Sequence, residues 1–447
     1  MPIQIQREAS QQLLEGQQQA LADTVASLGL PAGSGRVRSV AELQQRLGRA
    51  TNLRPGSPPL ATTPLSPSPT QAMAPYRPAI LQLERADLPG GQVQLTAILL
   101  PASGEPVSHS QVVPTERLNA AIRQFQRQLI SQHRVDSTEA DSPGAQLASW
   151  LLEPMAPVLQ ASGSSALLLA VDRGLQAIPY AALPLGGQTL GERYALSLTP
   201  SLGLLDLDIA SSRSGSGLLA VGASRFSQPL EPLPMVAREL GALAKEQQAT
   251  VLMEEAFTAE ALRRQTREDR YQRLHIATHA EFQPGQNDQG RLFTQQGSVS
   301  LVELGASLRA RAQANPLDLI TLSACRTALG DERSELGFAG MALQAGARSG
   351  IGTLWRVDDG ATAAFFVQYY RYLQSGLGKD QALQATVLAF RNGAVRLVGD
   401  ALVGPRVMAP GDAPLILVPG PGERERLAGG LSHPYFWAGM VLTGSPW

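Results

Sequence analysis

Between Leu218 and Arg391, short apolar runs of strand length alternate with helical patterns so regularly that few architectures remain open. Leu218 to Gly222, Thr250 to Met253, Arg273 to Thr278, Leu317 to Ser323 and Ser349 to Val357 read as strands. Pro234 to Glu246, Thr258 to Arg267, Ser300 to Arg309, Leu336 to Ala345, Thr362 to Gln374 and Lys379 to Arg391 read as helices, the one ending at Ala345 stopped by Gly346. Consecutive strands joined by helices pair in parallel through crossovers, so the expected fold class is α/β, with a mostly parallel sheet and helices on both faces. In such sheets the working groups gather beyond the carboxyl ends of the strands.

Two of these strand ends carry reactive side chains. Arg273 to Thr278 runs into His279, and Leu317 to Ser323 runs through Ala324 into Cys325, the only cysteine in the chain. Arg326 to Glu335 then reads as a polar loop. The single thiol excludes an internal disulfide framework and any multi-thiolate metal site, and it fits a reducing compartment. With 447 residues, 43% of them hydrophobic, the chain has room for two or three domains and a sizeable core. A formal charge of -1 provides no general attraction to nucleic acid or anionic lipid. Met1 to Gln19 has no apolar signal region, and no apolar run approaches the roughly 18 residues of a membrane span. The expectation is a soluble, cytoplasmic protein bound to neither nucleic acid nor membrane.

The first half is also α/β but less regular. Residues 1–50 carry two short amphipathic helices, at 8–28 and Val40 to Leu47, the second with Ser39 as a cap. Residues 51–78 are rich in Pro, Ser, Thr and Ala and read as a flexible insertion. From 79 to 210 the reading is two strands about the Pro89-Gly90-Gly91 turn, a helix near Thr115 to Gln132, a helix over 146–159, a strand at Ala166 to Val171 and another near Tyr194 to Leu198. A Ser-Gly stretch at 211–217 opens the segment 211–447. Near its end, residues 403–424 read as a Pro- and Gly-rich surface loop and Tyr435 to Leu442 as a last strand.

A thiolate is a strong nucleophile, and a nearby imidazole can take the proton from sulfur and later return it to a leaving amine. The backbone N–H groups of Cys325 and Ala280 are the candidates to stabilise the oxyanion formed when sulfur attacks a carbonyl, and a small residue after the histidine would let that N–H approach closely. A lone cytoplasmic cysteine is more often a small core residue; its strand-end position favours the reactive reading. His275 and His279 are four apart, but in a strand they do not form a metal pair, no Glu stands between them, and no third ligand is evident. His275 reads as a hydrogen-bonded packing residue. His433, the rival base, stands beside Tyr435 and Trp437 and reads as structural. No P-loop, G-x-S-x-G elbow or strand-linked G-x-G-x-x-G occurs, and the dyad needs no metal or organic cofactor.

Several segments in order, Leu-His-Ile-Ala-Thr-His at 274–279, Leu-Ser-Ala-Cys-Arg-Thr at 322–327, the run Gly346 to Asp359, and His433-Pro-Tyr-Phe-Trp-Ala at 433–438, resemble the CHAT domain, a caspase-like cysteine protease domain related to separase, caspases and metacaspases. Ile178 to Leu183 resembles the family's first half, so the likeness spans roughly 76–447. It implies a caspase-like α/β/α sandwich, an inactive pseudo-caspase half at 79–210 and a catalytic half at 211–447. His279 would be the general base and Cys325 the nucleophile; their separation, 325 − 279 = 46, is near the spacing of about 50 known for caspases. The family usually has Gly where this chain has Ala280, and a β-carbon there could crowd the oxyanion site. The resemblance also implies an acidic pocket for an arginine or lysine before the scissile bond, with Asp358 the first candidate and Asp359 the second; the plainer alternative is that one of them caps the following helix. No 34-residue repeat of the kind often fused to such domains is present, so a repeat-containing or regulatory partner would be a separate chain. The reading is a cysteine endopeptidase acting on a protein substrate, with self-processing an open question. The alternative is a silent caspase-like module presenting a peptide groove.

Overall fold

The computed structural model describes residues 2–27, 35–51, 75–132, 141–205, 207, 217–281, 290–312, 315–323, 342, 343, 345–407, 409–418 and 420–447. The chain divides into two compact units: one contains Met1–Arg54, Met73–Ile209 and Gly444–Trp447, and the other is built mainly from Ala210–Thr443.

In the first unit, helices α1 (Pro2–Ser27) and α2 (Val40–Thr51) precede strands β1 (Pro78–Leu88), β2 (Gln92–Pro101) and β3 (Val107–Pro114). The Ser39 hydroxyl accepts the Glu42 N–H at 3.2 Å and caps α2. A 12-residue helix is marginal by propensity alone, and burial of Leu43, Leu47 and Ala50 along one stripe holds it. Strands β1 and β2 pair antiparallel along their whole length, turning through Gly90 and Gly91 at φ of 78° and 72°, where a side chain would be strained. Helices α3 (Thr115–Ile130), α4 (Pro143–Leu151) and α5 (Ala156–Ser162) lead to β4 (Ala166–Val171) and β5 (Ala195–Thr199). The order is β3-β2-β1-β4-β5, with β4 parallel to both of its neighbours. β4 is buried at all six positions, which explains its unbroken apolar run.

The second unit is wound more regularly. Its elements in order are β6 (Gly217–Gly222), α6 (Val236–Gln247), β7 (Thr250–Met253), α7 (Ala259–Thr266), β8 (Tyr271–Ala277), a small antiparallel sheet of β9 (Ala280–Glu281), β10 (Arg291–Phe293) and β11 (Ser298–Ser300), α8 (Leu301–Ala312), β12 (Leu319–Ser323) and β13 (Ser349–Thr353). Then come α9 (Asp359–Gln374), α10 (Lys379–Arg391), a second small sheet of β14 (Arg396–Val398), β15 (Ala401–Pro405) and β16 (Asp412–Leu417), α11 (Pro421–Ala428) and β17 (Met440–Gly444). The main strands run in the order β17-β13-β12-β8-β6-β7, and every pair from β13 to β7 is parallel. Alternation of side chains creates three layers. Leu274, Ile276, Ile320 and Leu322 join one apolar cluster with Leu262 of α7 and Leu304 and Leu308 of α8. His275 and Thr321, one residue out of step, reach Tyr370 of α9 on the other face.

The fold class expected from the sequence holds: a mixed α/β protein with a mostly parallel sheet. Particular elements differ. Residues 403–424 are not a surface loop, since they contribute to β15, β16 and α11; Pro421 at the first turn of α11 is compatible with a helix start, where a missing N–H is not needed. The helix over 146–159 is broken at Leu152, and Glu153–Met155, with Pro154 at its centre, form a 3-10 turn between α4 and α5. The last strand begins only at Met440, because Pro434–Phe436 form a 3-10 turn capped by the His433 side chain. Most of the helix expected at Leu336 to Ala345, the polar loop at 326–335, and nearly all of the insertion at 51–78 lie outside the described residues. Among the described residues no helix is long and apolar enough to cross a membrane.

Candidate active site

The order of the second sheet sets where a site can form. After β6 the chain crosses toward β7, and after β8 it crosses the other way, toward β12, so the connections leaving the carboxyl ends of β6 and β8 diverge while the strands themselves stay paired to Ala277↔Gly222. A crevice at such a reversal is where open parallel sheets bind ligands. His279 stands there, two residues past the end of β8 and 8% exposed.

The histidine is held from several sides. The Phe293 N–H donates to its carbonyl at 2.9 Å, and the Thr278 hydroxyl donates to the Phe293 carbonyl at 2.6 Å, which ties this corner to β10. The Phe226 ring lies against the imidazole with centroids 4.9 Å apart. Nε2 lies 2.8 Å from the carbonyl oxygen of Glu231. A carbonyl can only accept, so Nε2–H donates to it, and in the neutral form of the ring Nδ1 carries the lone pair.

The carbonyl of Glu231 is itself positioned by the loop after β6. Ala223 donates to Ala277 O at 3.2 Å, Ser227 to Gln295 O at 2.8 Å, Leu233 to Ser224 O at 2.9 Å, and Met235 to Asp359 Oδ2 at 3.0 Å. The Ser224 hydroxyl also bonds the Glu254 carboxylate. The Glu231 side chain points elsewhere, pairing with Arg356 at 2.6 Å while both groups stay well exposed. Sequence reasoning had no means of finding Glu231, because its contribution is a main-chain atom.

Cys325 lies outside the described residues, but the strand that carries it does not. β8 and β12 pair in register from Arg273↔Leu319 to Ala277↔Ser323. His279 and Cys325 are therefore each two residues beyond the last paired rung. Ala280, whose N–H was an oxyanion candidate, starts β9 opposite Leu292, and it is 2% exposed within the apolar cluster of Leu292, Val299 and Leu301. Its β-carbon is thus accommodated by core packing.

The two acidic candidates are both engaged. Asp358 caps α9: Oδ1 accepts from Gly360 N–H at 2.9 Å and Ala361 N–H at 3.2 Å, and Oδ2 lies 3.3 Å from Arg426 Nε. Asp359 accepts from the Met235 N–H. Burial, reinforced by Glu239, Asp358 and Glu423, pushes its carboxyl up to about 7 against the pull of that hydrogen bond. His433 accepts the Tyr435 N–H through Nδ1 at 3.1 Å, and Trp355 donates to Tyr435 O at 3.0 Å, so the closing aromatic segment braces the loop that leads to Asp358.

A family model for the CHAT domain matches residues 141–445. Two crystal structures of the Saccharomyces cerevisiae separase–securin complex resemble the chain. One has a TM-score of 0.44 at 10% identity and covers 83% of this chain and 30% of that one. The other has a TM-score of 0.45 at 9% identity and covers 96% of this chain and 33% of that one. The chain thus spans about a third of the length of those structures. Among curated proteins nothing matches.

Proposed function

Because this chain belongs to the CHAT domain family, we propose that it is a cysteine endopeptidase in which Cys325 is the nucleophile and His279 the general base. The observation that carries the reading is the register of β8 and β12, together with a histidine whose tautomer is fixed by Glu231 O at the crevice between β6 and β8.

The reaction follows from those parts. Nδ1 of His279 takes the thiol proton as sulfur attacks the scissile carbonyl carbon. The oxyanion of the tetrahedral intermediate receives the N–H groups of Ala280 and Cys325. As the carbon–nitrogen bond breaks, the imidazolium returns its proton to the departing amine and a thioester remains. Water, deprotonated by the same nitrogen, then releases a carboxylic acid and restores the thiol. Throughout, the Nε2–H bond to Glu231 O keeps the ring in one orientation and stabilises its charged form.

The substrate is a protein cleaved after Arg or Lys, with Asp358 as the recognising carboxylate and Asp359 the second candidate. Asp358 Oδ2 already faces a guanidinium, that of Arg426, across 3.3 Å, and a substrate arginine would meet the same oxygen. Asp359 suits the role less well at neutral pH, where its carboxyl, shifted to about 7, is partly protonated. The test is turnover of peptide amides varied at the residue before the scissile bond. Cleavage is expected after Arg and Lys, with kcat/KM lowered by on the order of 10³-fold in both Cys325→Ala and His279→Ala. Undiminished cleavage by Cys325→Ala, or none by the parent across the whole set, would remove the reading.

A further inference from the structure

Beneath the two strand ends lies a buried polar cluster that the dyad chemistry leaves unused. Helix α6 turns Val236, Leu240 and Leu243 toward the core, and Glu239 stands in the same stripe, only 1% exposed. One of its oxygens, Oε2, accepts from the Ser323 hydroxyl of β12 at 3.0 Å. The other, Oε1, lies 3.1 Å from Nε2 of His275 on β8. On the far side of that ring, Nδ1 is 2.7 Å from the Thr321 hydroxyl of β12, which in turn meets the Tyr370 hydroxyl of α9 at 2.9 Å. His275 and Ser323 are fully buried.

One carboxylate therefore touches both strands: it accepts a hydrogen bond from Ser323 of β12 and stands 3.1 Å from the imidazole of His275 on β8. It acts four residues before His279 on β8 and two residues before Cys325 on β12. The stripe of α6 calls for an apolar residue at 239, and burying a carboxylate is costly unless it is compensated by directional partners. A hydrogen bond to β12 and a polar contact to β8 are what an apolar side chain cannot supply, and together they bear on how far one strand end stands above its neighbour. We infer that Glu239, through Ser323 and His275, is a positioning residue that sets the relative placement of the β8 and β12 ends and hence of the imidazole and the thiol. This rests on the dyad reading above, and it assigns Glu239 no contact with substrate.

The test compares the parent with Glu239→Gln, which keeps the shape and removes the charge, and with Ser323→Ala, which keeps the Glu239–His275 contact. Two quantities are measured: steady-state turnover of an arginyl peptide amide, and hydrogen exchange of the segments 272–279 and 317–323. In folded variants kcat falls by about 10-fold or more with KM within about 2-fold of the parent, since the binding groups are untouched and only the alignment suffers. Exchange quickens in those two segments and stays unchanged in 217–222 and 250–253. If Glu239→Gln fails to fold, Ser323→Ala carries the same expectation. A residue with a merely structural role would lower the melting temperature and leave kcat per folded molecule alone; that result in both variants overturns the inference. His279→Ala, assayed beside them, separates the two claims. If it abolishes turnover while the other variants keep it, only the positioning role falls; if it retains parental turnover, the dyad falls and the positioning role with it.

Discussion

A histidine that gives its Nε2 proton to a main-chain oxygen depends on where that residue sits and little on what its side chain is. Glu231 therefore tolerates substitution: Glu231→Gln should change kcat/KM by less than about 3-fold and stability by less than about 1 kcal/mol, because its ion pair with Arg356 is exposed and such pairs contribute little. Turnover assays and thermal melts check this, and a large loss of activity would show that the carboxylate takes part. Asp358 allows a sharper separation, since asparagine caps a helix about as well as aspartate but carries no charge. Asp358→Asn should keep the melting temperature within about 2 °C and lower kcat/KM for arginyl substrates by roughly 100-fold, the loss expected for a charge-assisted contact through Oδ2. Unaltered kcat/KM would leave Asp358 as a cap alone. The cap was readable from two acids before a helical pattern, whereas the pocket came only from the family resemblance. Glu239, a charge in an apolar stripe, carried a signal that the sequence reading did not single out, whereas no side-chain pattern announces a carbonyl.

At the scale of elements, the ends of β6 and β8 are close at one glycine. A β-carbon on Gly222 would fall 2.4 Å from the Ala277 carbonyl oxygen and 2.9 Å from Val236 Cγ1, and that carbonyl is already bonded to Ala223 N–H. Gly222→Ala should push β6 from β8 where the His279 corner begins, costing about 1–3 kcal/mol of stability as other overpacked sites do. Activity should fall further than the folded fraction does, as measured by turnover normalised to circular dichroism; a variant with parental stability and turnover would mean that the corner yields freely. The parallel strands were legible because burial on both faces leaves uninterrupted apolar runs, as in β4 and β12. Strand β3 was not, because Val107–Pro114 faces solvent at most positions and carries a polar, irregular pattern. The hairpin of β15 and β16 was hidden by Pro405, Pro410, Gly411 and Pro414, residues that signal turns and edges and give no sign of a strand. The helix break around Pro154 follows a rule that was available and outweighed by the apolar periodicity around it.

On the scale of the molecule, both units bury carboxyl groups that hold their protons unusually well. In the first unit Glu84 is pushed up to about 7 by burial, with Asp172 and Glu15 adding to it against a hydrogen bond from Gln82, and Asp172 is pushed up to about 6, mainly by burial. In the second, Asp359 is pushed up to about 7. Each folded value lies above the unfolded one, so the native state binds protons that the unfolded chain releases between about pH 4 and 7. Their contribution is fully present below about pH 4 and is lost as pH rises toward 7. Calorimetry should therefore find a lower melting temperature at about pH 7.5 than at about pH 5, with the difference reduced in Glu84→Gln; a melting temperature that rises over this interval would contradict the assignment. The chemistry of the dyad is probed most directly by covalent capture with a peptidyl acyloxymethyl ketone ending in arginine, read by mass spectrometry of the digested protein. Modification is expected at Cys325 in the parent and lost in His279→Ala, with both proteins folded. Equal modification in the two, or a labelled residue other than Cys325, would contradict the dyad.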